Sequence, residues 1–177
     1  MKEELAKGVR YDSLFLGIYL GMPQKEFYMH CWQLNKKGLI RQGSNNTSVY
    51  YKMPDFKDTV EANFYPAFYK DKIWKLPVKL NFQAWAPWNR EYSSDTLEND
   101  LVGKFFDWYG TGFRKVLNAR NEVAYYKIDG NRLISIFKDD DQYVWAVFTD
   151  LIVYNELKKQ MKNKTDSVSA AVDPNMF

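Results

Sequence analysis

The chain of 177 residues has few of the side chains that usually perform chemistry, since it contains one cysteine and one histidine. A lone Cys31 excludes an internal disulfide and a zinc site built from several thiolates. His30 is its direct neighbour, but consecutive residues of a helix point about 100° apart, so the two are poorly placed to act as a base and a nucleophile. The pattern favours a core position for Cys31 and a flanking or surface position for His30.

Strong charge of one sign and long apolar runs are also missing. The chain has 25 Lys and Arg against 22 Asp and Glu, a net charge of +3, which is too small to indicate a nucleic-acid partner. No apolar run approaches the roughly 20 residues of a membrane helix, and residues 1–7 lack the apolar core of a signal peptide. We expect no nucleic-acid partner and no membrane span. The expected location is cytoplasmic, or the periplasm or cell envelope if a signal peptide has been removed.

Metal and cofactor signatures are missing as well. The acidic run 139–141 lacks the glycine and the distal glutamate of a calcium loop, and it is interpreted as a hairpin turn. Gly103, Gly110 and Gly112 do not lie between a strand and a helix, where a phosphate-binding loop would place them. We therefore expect no metal and no cofactor.

Aromatic residues are abundant, and a short sequence occurs twice. The 6 Trp, 13 Tyr and 12 Phe are more rings than a domain of this size can bury completely. Residues 46–53 (Asn-Thr-Ser-Val-Tyr-Tyr-Lys-Met) return at 121–128 as Asn-Glu-Val-Ala-Tyr-Tyr-Lys-Ile. Each copy follows a helical pattern, and a repeated unit buries one face against its neighbour. The repeat predicts an architecture and names no substrate.

Helical spacing predicts one helix in each half. The first begins at Pro23 and ends at Gly38, residues suited to a first turn and to a stop; its apolar stripe recurs at i, i+4 and i+7. The second opens at Ser94 or Asp95, where Asp95 and Glu98 have the spacing of a capping box, and it ends at Gly110. A short third helix is predicted over residues 153–162.

Alternating apolar and polar residues predict three strands after each of the two main helices. They cover residues 49–53, 60–65 and 74–82 in the first half, and 124–128, 133–137 and 143–151 in the second. Residues 14–20 have the pattern of a further extended segment. Pro77 lacks a donor for the ladder, which predicts an edge strand or a bulge.

The sequence thus predicts an α+β fold of two tandem units. Each unit is a helix plus a three-stranded antiparallel sheet, with the helices on one face. The first unit takes residues 1–84 and an aromatic connection takes 85–94. The second unit with its C-terminal helix takes 95–164, and a disordered tail takes 165–177.

Residues 17–27 read Gly-Ile-Tyr-Leu-Gly-Met-Pro-Gln-Lys-Glu-Phe. This segment resembles the opening motif of the β-lactamase-inhibitor-protein-like superfamily, which includes small outer-membrane assembly lipoproteins. Pro23 stands where that family places a capping Ser or Thr, and the second half has no Gly-Met. The resemblance implies a helical segment packed on an antiparallel sheet, tandem copies, and binding of proteins or envelope components. The high content of aromatic residues also resembles that of envelope proteins of Bacteroidetes-type bacteria.

Candidate binding residues follow from the strand pattern and the aromatic connection. Alternation predicts that Tyr50 and Tyr125 project from the sheet face opposite the core, with Tyr65 on a neighbouring strand. Trp85 and Trp88 flank a Pro-stiffened loop, which suits either display to a sugar or protein or burial in the seam between the units.

We expect a non-catalytic module that binds a protein or a glycan through an exposed aromatic sheet face. The alternative is a small carboxylate-dependent hydrolase or a glycan-binding protein, because catalytic carboxylate pairs are defined by spatial separation and leave no sequence motif. A deep pocket holding acids with raised pKa values would favour the hydrolase, and a flat aromatic face would favour the module.

Overall fold

The computed structural model describes residues 2–43, 47–117 and 121–170. Within these residues the chain forms four helices and nine strands, so the predicted α+β class is confirmed. The helices are α1 (Lys2–Ala6), α2 (Gln24–Lys36), α3 (Ser94–Tyr109) and α4 (Leu151–Ala170). The strands are β1 (Ile40–Gln42), β2 (Val49–Met53), β3 (Val60–Phe64), β4 (Ala67–Tyr69), β5 (Lys72–Phe82), β6 (Arg114–Leu117), β7 (Val123–Asp129), β8 (Arg132–Lys138) and β9 (Val144–Asp150).

All nine described strands belong to one antiparallel sheet. Its order is β1-β2-β3-β5-β9-β8-β7-β6, and β4 pairs with the first part of β5. The last strands of the two halves, β5 and β9, pair in the middle, with Leu80 opposite Val144 and Leu76 opposite Phe148. The strands that carry the repeated sequence, β2 and β7, each lie second from an edge. That the two halves are copies of one unit stays a prediction, and Asn46 of the first copy lies outside the described residues.

The core lies between one face of this sheet and the helices α2 and α3. Phe27 of α2 and Leu101 and Phe105 of α3 are buried in the same cluster as Phe64 and Phe148 of the sheet. Burying an apolar stripe on the sheet is what stabilises helices of this length, since isolated helices are marginal in water. The predicted placement of helices on one face holds for α2 and α3.

Pro77 lies in a central strand, so the prediction that its strand is an edge is wrong. Pro77 is opposite Val147 on β9, and on the other side the register Val78–Phe64 would place Tyr65 opposite it. The ladder is interrupted at that point, because β3 ends at Phe64 and β4 begins at Ala67. The missing N–H therefore coincides with a gap between two partner strands. The irregularity of register lies farther along, between Ala67 and Phe68.

Residues 14–20 form a tight loop, so the predicted extended segment is wrong. The Leu14 N–H donates to the Ile18 carbonyl at 2.9 Å, and Gly17 has a φ of 76°, which favours glycine. Leu14, Ile18 and Leu20 are buried in the core. Three apolar side chains thus reach the core from a turn, which gives the same alternation as a strand.

The boundaries of α2 and α3 agree with the predictions, but one predicted cap does not form. α2 starts after Pro23, and Gly38 follows it with a φ of 71°. α3 starts at Ser94 with Ser93 as its N-cap residue, and no side chain caps it. Asp95 makes an ion pair with Lys138 instead, so the predicted capping box is wrong. The Asp95 carboxylate binds Lys138 of β8 rather than the N–H groups at the start of the helix.

The last helix is longer than predicted. Asp150 accepts hydrogen bonds from the N–H groups of Ile152 and Val153 at 2.9 and 3.4 Å and so caps α4. The helix continues to Ala170, so residues 165–170 are helical where disorder was predicted, and residues 171–177 lie outside the described part. Once a helix is nucleated, each added residue needs only one further hydrogen bond.

Candidate functional site

The sheet has a second face, which we call the open face because it is turned away from α2 and α3. One row of paired residues crosses eight strands on this face: Arg41, Tyr50, Asn63, Lys79, Trp145, Phe137, Ala124 and Val116. The row changes character in its middle, at the junction of β5 and β9. The four residues from the first half are polar or charged apart from the Tyr50 ring, and the four from the second half are apolar.

A second row on the same strands extends the apolar region, because Val147 and Tyr126 lie on either side of Ser135. We define the apolar half of the open face by six residues: Val116, Ala124, Tyr126, Phe137, Trp145 and Val147. All six are partly or well exposed, and Val116 on the edge strand is 39% exposed. Neighbouring apolar side chains that remain in water are the usual mark of a recognition surface.

Tyr50 does lie on the open face, within a polar network. Its hydroxyl donates to Glu61 at 2.8 Å, and the Arg41 guanidinium lies 5.0 Å from the centre of its ring. Burial and the hydrogen bond to Glu61 raise the pKa of Tyr50. The residue is therefore bound into the polar half and does not contact the apolar half.

The prediction that Tyr125 shares the face of Tyr50 is wrong. Tyr125 pairs with Ile136 and packs against the core. Equivalent residues of the two repeated sequences lie on opposite faces of the sheet. Val49 pairs with Phe64 on the core face, whereas its counterpart Ala124 pairs with Phe137 on the open face. A slip of one residue exchanges the faces of a strand. Tyr126, the neighbour of Tyr125, lies opposite Ser135 on the open face instead.

Tyr65 is also separate from Tyr50. It follows the end of β3 and turns toward α2, where its hydroxyl lies 2.7 Å from that of Tyr28. Its ring meets Phe27 edge to face at 6.2 Å. The hydrogen bond with Tyr28, with a smaller effect of burial, raises the pKa of Tyr65 to about 12.

The two tryptophans of the connection have different environments. Trp85 is partly buried, and its indole Nε1–H donates to the Asp141 carbonyl at 3.2 Å, which ties the connection to the turn before β9. Trp88 is 86% exposed. Burial of both rings in the seam is therefore wrong for Trp88, which is displayed to solvent.

His30 and Cys31 are held by structural contacts. The His30 Nε2 lies 2.6 Å from the Leu16 carbonyl oxygen, and since a carbonyl only accepts, Nε2 carries the proton in this arrangement. Burial raises the pKa of Cys31 to about 11. A thiol of that pKa is poorly nucleophilic at neutral pH, because the thiolate is the reactive form.

The carboxyl groups offer no metal centre within the described residues, since no three His, Cys, Asp or Glu side chains come together there. Burial raises the pKa of Glu98, whose Oε1 has no hydrogen-bond partner in the described part of the chain. The residue lies in α3, on the opposite side of the sheet from the open face. Asp140 accepts from the N–H groups of Gln142 and Tyr143, both at 2.8 Å, as a turn residue does.

No helix in the described ranges is long and apolar enough to cross a membrane. Comparison with known proteins finds no matching family model, no matching curated protein and no matching solved structure. The resemblance of residues 17–27 to the superfamily named above therefore stays a prediction.

The sequence contained a signal for the residues that were missed. Residues 133–137 read Leu-Ile-Ser-Ile-Phe. One face of this strand carries Leu133 and Phe137 on either side of Ser135, and the other face carries two isoleucines, so both faces are largely apolar. A strand with apolar residues on both faces is expected to be covered on both. α2 and α3 cover one face, and on the other face α4 contacts Tyr69 of β4 through Glu156 and Gln160. Phe137 and its neighbour Trp145 on that face stand out as candidates for an interface.

Proposed function

We propose that this protein is a non-catalytic binding module that recognises a protein partner through the apolar half of the open face. The carrying observation is the row Trp145, Phe137, Ala124 and Val116, which continues across four strands without a charged side chain. The same row is polar on the other four strands, so the apolar character is local to one region.

The chemistry of this surface suits a protein more than a small ligand. It is built on sheet strands, and Trp and Tyr are the side chains that most often dominate binding energy at interfaces. Lys79 and Arg114 border it, as polar residues surround the apolar centre of a typical interface. Trp145 is the expected main contact because it lies beside the junction of β5 and β9, at the middle of the sheet.

The resemblance of residues 17–27 to envelope-associated binding proteins supports placing this module in the cell envelope. This placement is independent of the binding surface. Reading the coding sequence upstream of Met1 tests it, because a signal peptide there supports export and a preceding domain without one contradicts it.

The binding proposal is tested with two matched variants of the same face. Partners are captured from an extract of the source cells on immobilised protein, and a captured protein is then purified and titrated by calorimetry. Trp145→Ser should weaken binding by about tenfold or more, whereas Tyr50→Ser on the polar half should leave it unchanged.

The result that contradicts the proposal is the reverse pattern, or amide chemical shift changes confined to α2 and α3 when the partner is added. Circular dichroism of both variants establishes that each is folded. A glycan that perturbs Trp145 while no protein partner does would also contradict the proposed partner class.

A further inference from the structure

A cavity of about 680 Å³ lies beside the β7–β8 hairpin, on the side of the sheet opposite the open face. Its walls come from the N-terminal loop, the end of β2, the end of α3 and the hairpin itself, and they include Tyr11, Tyr51, Trp108 and Lys127. The volume is in the range of about 300 to 1,000 Å³ found for small-molecule sites. None of the six residues that define the apolar half of the open face lines this cavity, so it is a separate site.

The charged side chains of the cavity balance. Two carboxylates, Asp55 and Asp129, line it together with two cations, Lys127 and Arg132. Asp129 pairs with both cations, since one of its oxygens lies 3.1 Å from the Lys127 Nζ and the other lies 3.0 Å from an Arg132 nitrogen. A charged ligand would bring an excess charge into this neutral lining, which is costly for a group taken out of water. The balance therefore favours an uncharged ligand.

Polar groups that can donate and accept hydrogen bonds remain available in the cavity. The Asp55 carboxylate and the Tyr51 hydroxyl make no hydrogen bond or ion pair within the described residues. The two groups are near each other, because burial raises the pKa of Tyr51 and the Asp55 charge adds to that rise. Lys127 donates to the Tyr109 carbonyl and to Asp129, which leaves the third hydrogen of its ammonium group.

Two aromatic rings of the cavity wall are still accessible to solvent. Trp108 packs on Phe105 with the ring centres 5.6 Å apart, and the residue remains 42% exposed. Tyr11 lies 5.8 Å from the Arg132 guanidinium and remains 47% exposed. Rings fixed in this way on a folded scaffold offer apolar surface to a ligand at a small cost in conformational entropy.

This combination of groups suits a saccharide. A purely apolar ligand would leave the Asp55 carboxylate and the Tyr51 hydroxyl without water and without partners, which costs free energy. A sugar ring has hydroxyl groups that both donate and accept, and its C–H groups pack on aromatic rings. A nucleobase is less well matched, since no Asn or Gln lines the cavity within the described residues and amide side chains are common partners of a base edge.

We propose that this cavity binds a neutral oligosaccharide. One sugar ring packs on Trp108, and its hydroxyl groups form hydrogen bonds with Asp55 and Tyr51. The site binds without hydrolysis, because glycoside hydrolysis uses a pair of available carboxyl groups and both oxygens of Asp129 are held by cations. The sheet separates this site from the protein-binding surface proposed above, so either proposal can fail while the other holds.

The probes are the neutral trisaccharides chitotriose, cellotriose, maltotriose and mannotriose. Trigalacturonate serves as the charged comparison and adenosine as the nucleoside. Binding to the full chain is measured by calorimetry and by the indole N–H chemical shifts, up to about 10 mM ligand, because a weak site has a Kd of about 1 mM. We expect a neutral trisaccharide to shift the Trp108 signal and to leave Trp145 unmoved, and both comparison ligands to bind about tenfold more weakly or worse.

Variants then locate the site. Trp108→Ala should weaken trisaccharide binding about fivefold or more, and Tyr51→Phe should weaken it about two- to tenfold through the loss of one hydrogen bond. Trp88→Ala is the matched control, because Trp88 is 86% exposed and lies outside the cavity. It should leave the affinity unchanged.

Asp55→Asn separates the ligand classes by the sign of its effect. Asp55 is exposed, and its φ of 69° lies in the left-handed region, where Asn is tolerated as readily as Asp. For a neutral sugar, loss of the charged acceptor should weaken binding about threefold, whereas an anion would bind more tightly once the negative charge is gone. Circular dichroism reports on the folding of Trp108→Ala, and Asp55→Asn keeps the test valid if that variant does not fold.

Three results would overturn the proposal. The first is that none of the neutral trisaccharides shifts the Trp108 indole signal of the wild-type chain. The second is that trigalacturonate or adenosine binds as tightly as the best trisaccharide. The third is that the trisaccharide binds Asp55→Asn as tightly as the wild type, or that Trp88→Ala weakens it as much as Trp108→Ala does.

Discussion

Lys79 and Trp145 lie opposite each other across the ladder that joins β5 to β9, with the Lys79 Nζ 5.4 Å from the centre of the indole ring. The same ammonium pairs with Asp139 at 3.0 Å and lies 4.1 Å from the ring centre of Tyr143. This lysine is the last charged residue before the apolar half of the open face begins. It therefore limits how far that surface extends.

Lys79→Met is expected to enlarge the apolar half and to promote self-association, because exposed apolar patches of growing size associate. Sedimentation velocity at increasing protein concentration would show a dimer for this variant and a monomer for Lys52→Met, which removes a lysine from the polar half. Equal behaviour of the two variants would show that Lys79 does not limit the surface.

Leu101→Ala should reduce the free energy of unfolding by about 2 to 5 kcal/mol, because the Leu101 side chain of α3 is completely buried in the core and its truncation leaves a cavity. Leu117→Ala, at a position 62% exposed on β6, should change it by no more than about 0.5 kcal/mol. Urea titration of both variants makes the comparison. A loss below about 1 kcal/mol at Leu101 is incompatible with this packing.

Gly17→Ala should cost more stability than Gly21→Ala. Both glycines have positive φ, at 76° and 84°, so alanine at either position incurs about 1 to 2 kcal/mol of backbone strain. At Gly17 the added Cβ would also meet the His30 ring at 3.2 Å, whereas at Gly21 no atom lies within 4 Å. Thermal unfolding compares the two variants, and His30→Ala should remove the difference between them.

Glu98→Gln should be more stable than the wild type at neutral pH, by an amount that grows with pH. Burial raises the pKa of Glu98 above its ordinary value of 4.5, so the folded chain binds this proton more tightly than the unfolded chain. The contribution of Glu98 to the free energy of unfolding is therefore fully present below its pKa in the unfolded chain, and it is lost as pH rises through its pKa in the folded chain.

Urea titrations from about pH 4 to pH 7 measure that difference, since this range brackets the ordinary carboxyl pKa. Glu91→Gln serves as the control because its side chain is 68% exposed. A constant difference for Glu98→Gln would mean that the carboxylate is better solvated than its burial indicates.

Cys31 should resist alkylation in the folded protein. With a pKa of about 11, about one thiol in a thousand is ionised at pH 8, against about a quarter for an ordinary thiol. Iodoacetamide should therefore react about a hundredfold faster in urea than in buffer. Cys31→Ala should retain partner binding; loss of binding by this folded variant would give the thiol a function.

The parts of the fold that could be predicted are those with enough residues to repeat a pattern. β5 has 11 residues and a clear alternation, and α2 and α3 have 13 and 16. The missed strands β1, β4 and β6 have only 3, 3 and 4 residues. So few positions cannot establish a period.

The face of β7 could not be predicted from its own sequence. Lys127 on the core side is buried, which local pattern reasoning assigns to solvent. It is stabilised there by Asp129 and by the Tyr109 carbonyl from α3. Asp129 belongs to β7 itself, but Tyr109 lies 18 positions earlier in the chain. The pattern of β7 alone therefore does not show that Lys127 can be accommodated in the interior.

The candidate sites differ in the same way. The apolar half of the open face comes from strands whose sequences are apolar on both sides, and that is visible before folding. By contrast, the cavity of about 680 Å³ beside the β7–β8 hairpin is lined by Tyr11, Trp108 and Arg132 from three separate segments. No spacing along the chain relates them.

The pairing of β5 with β9 affects how the chain folds during its synthesis on the ribosome. β5 ends at Phe82 and its partner begins at Val144, 62 positions later (144 − 82). A ribosome adding about 5 to 20 residues per second needs about 3 to 12 s to supply it. Through that interval the nascent first half carries an unpaired, apolar strand edge that can recruit a neighbouring chain. Expression at lower temperature, or with chaperones that bind extended segments, should therefore affect the yield of soluble protein more than any substitution on its finished surface.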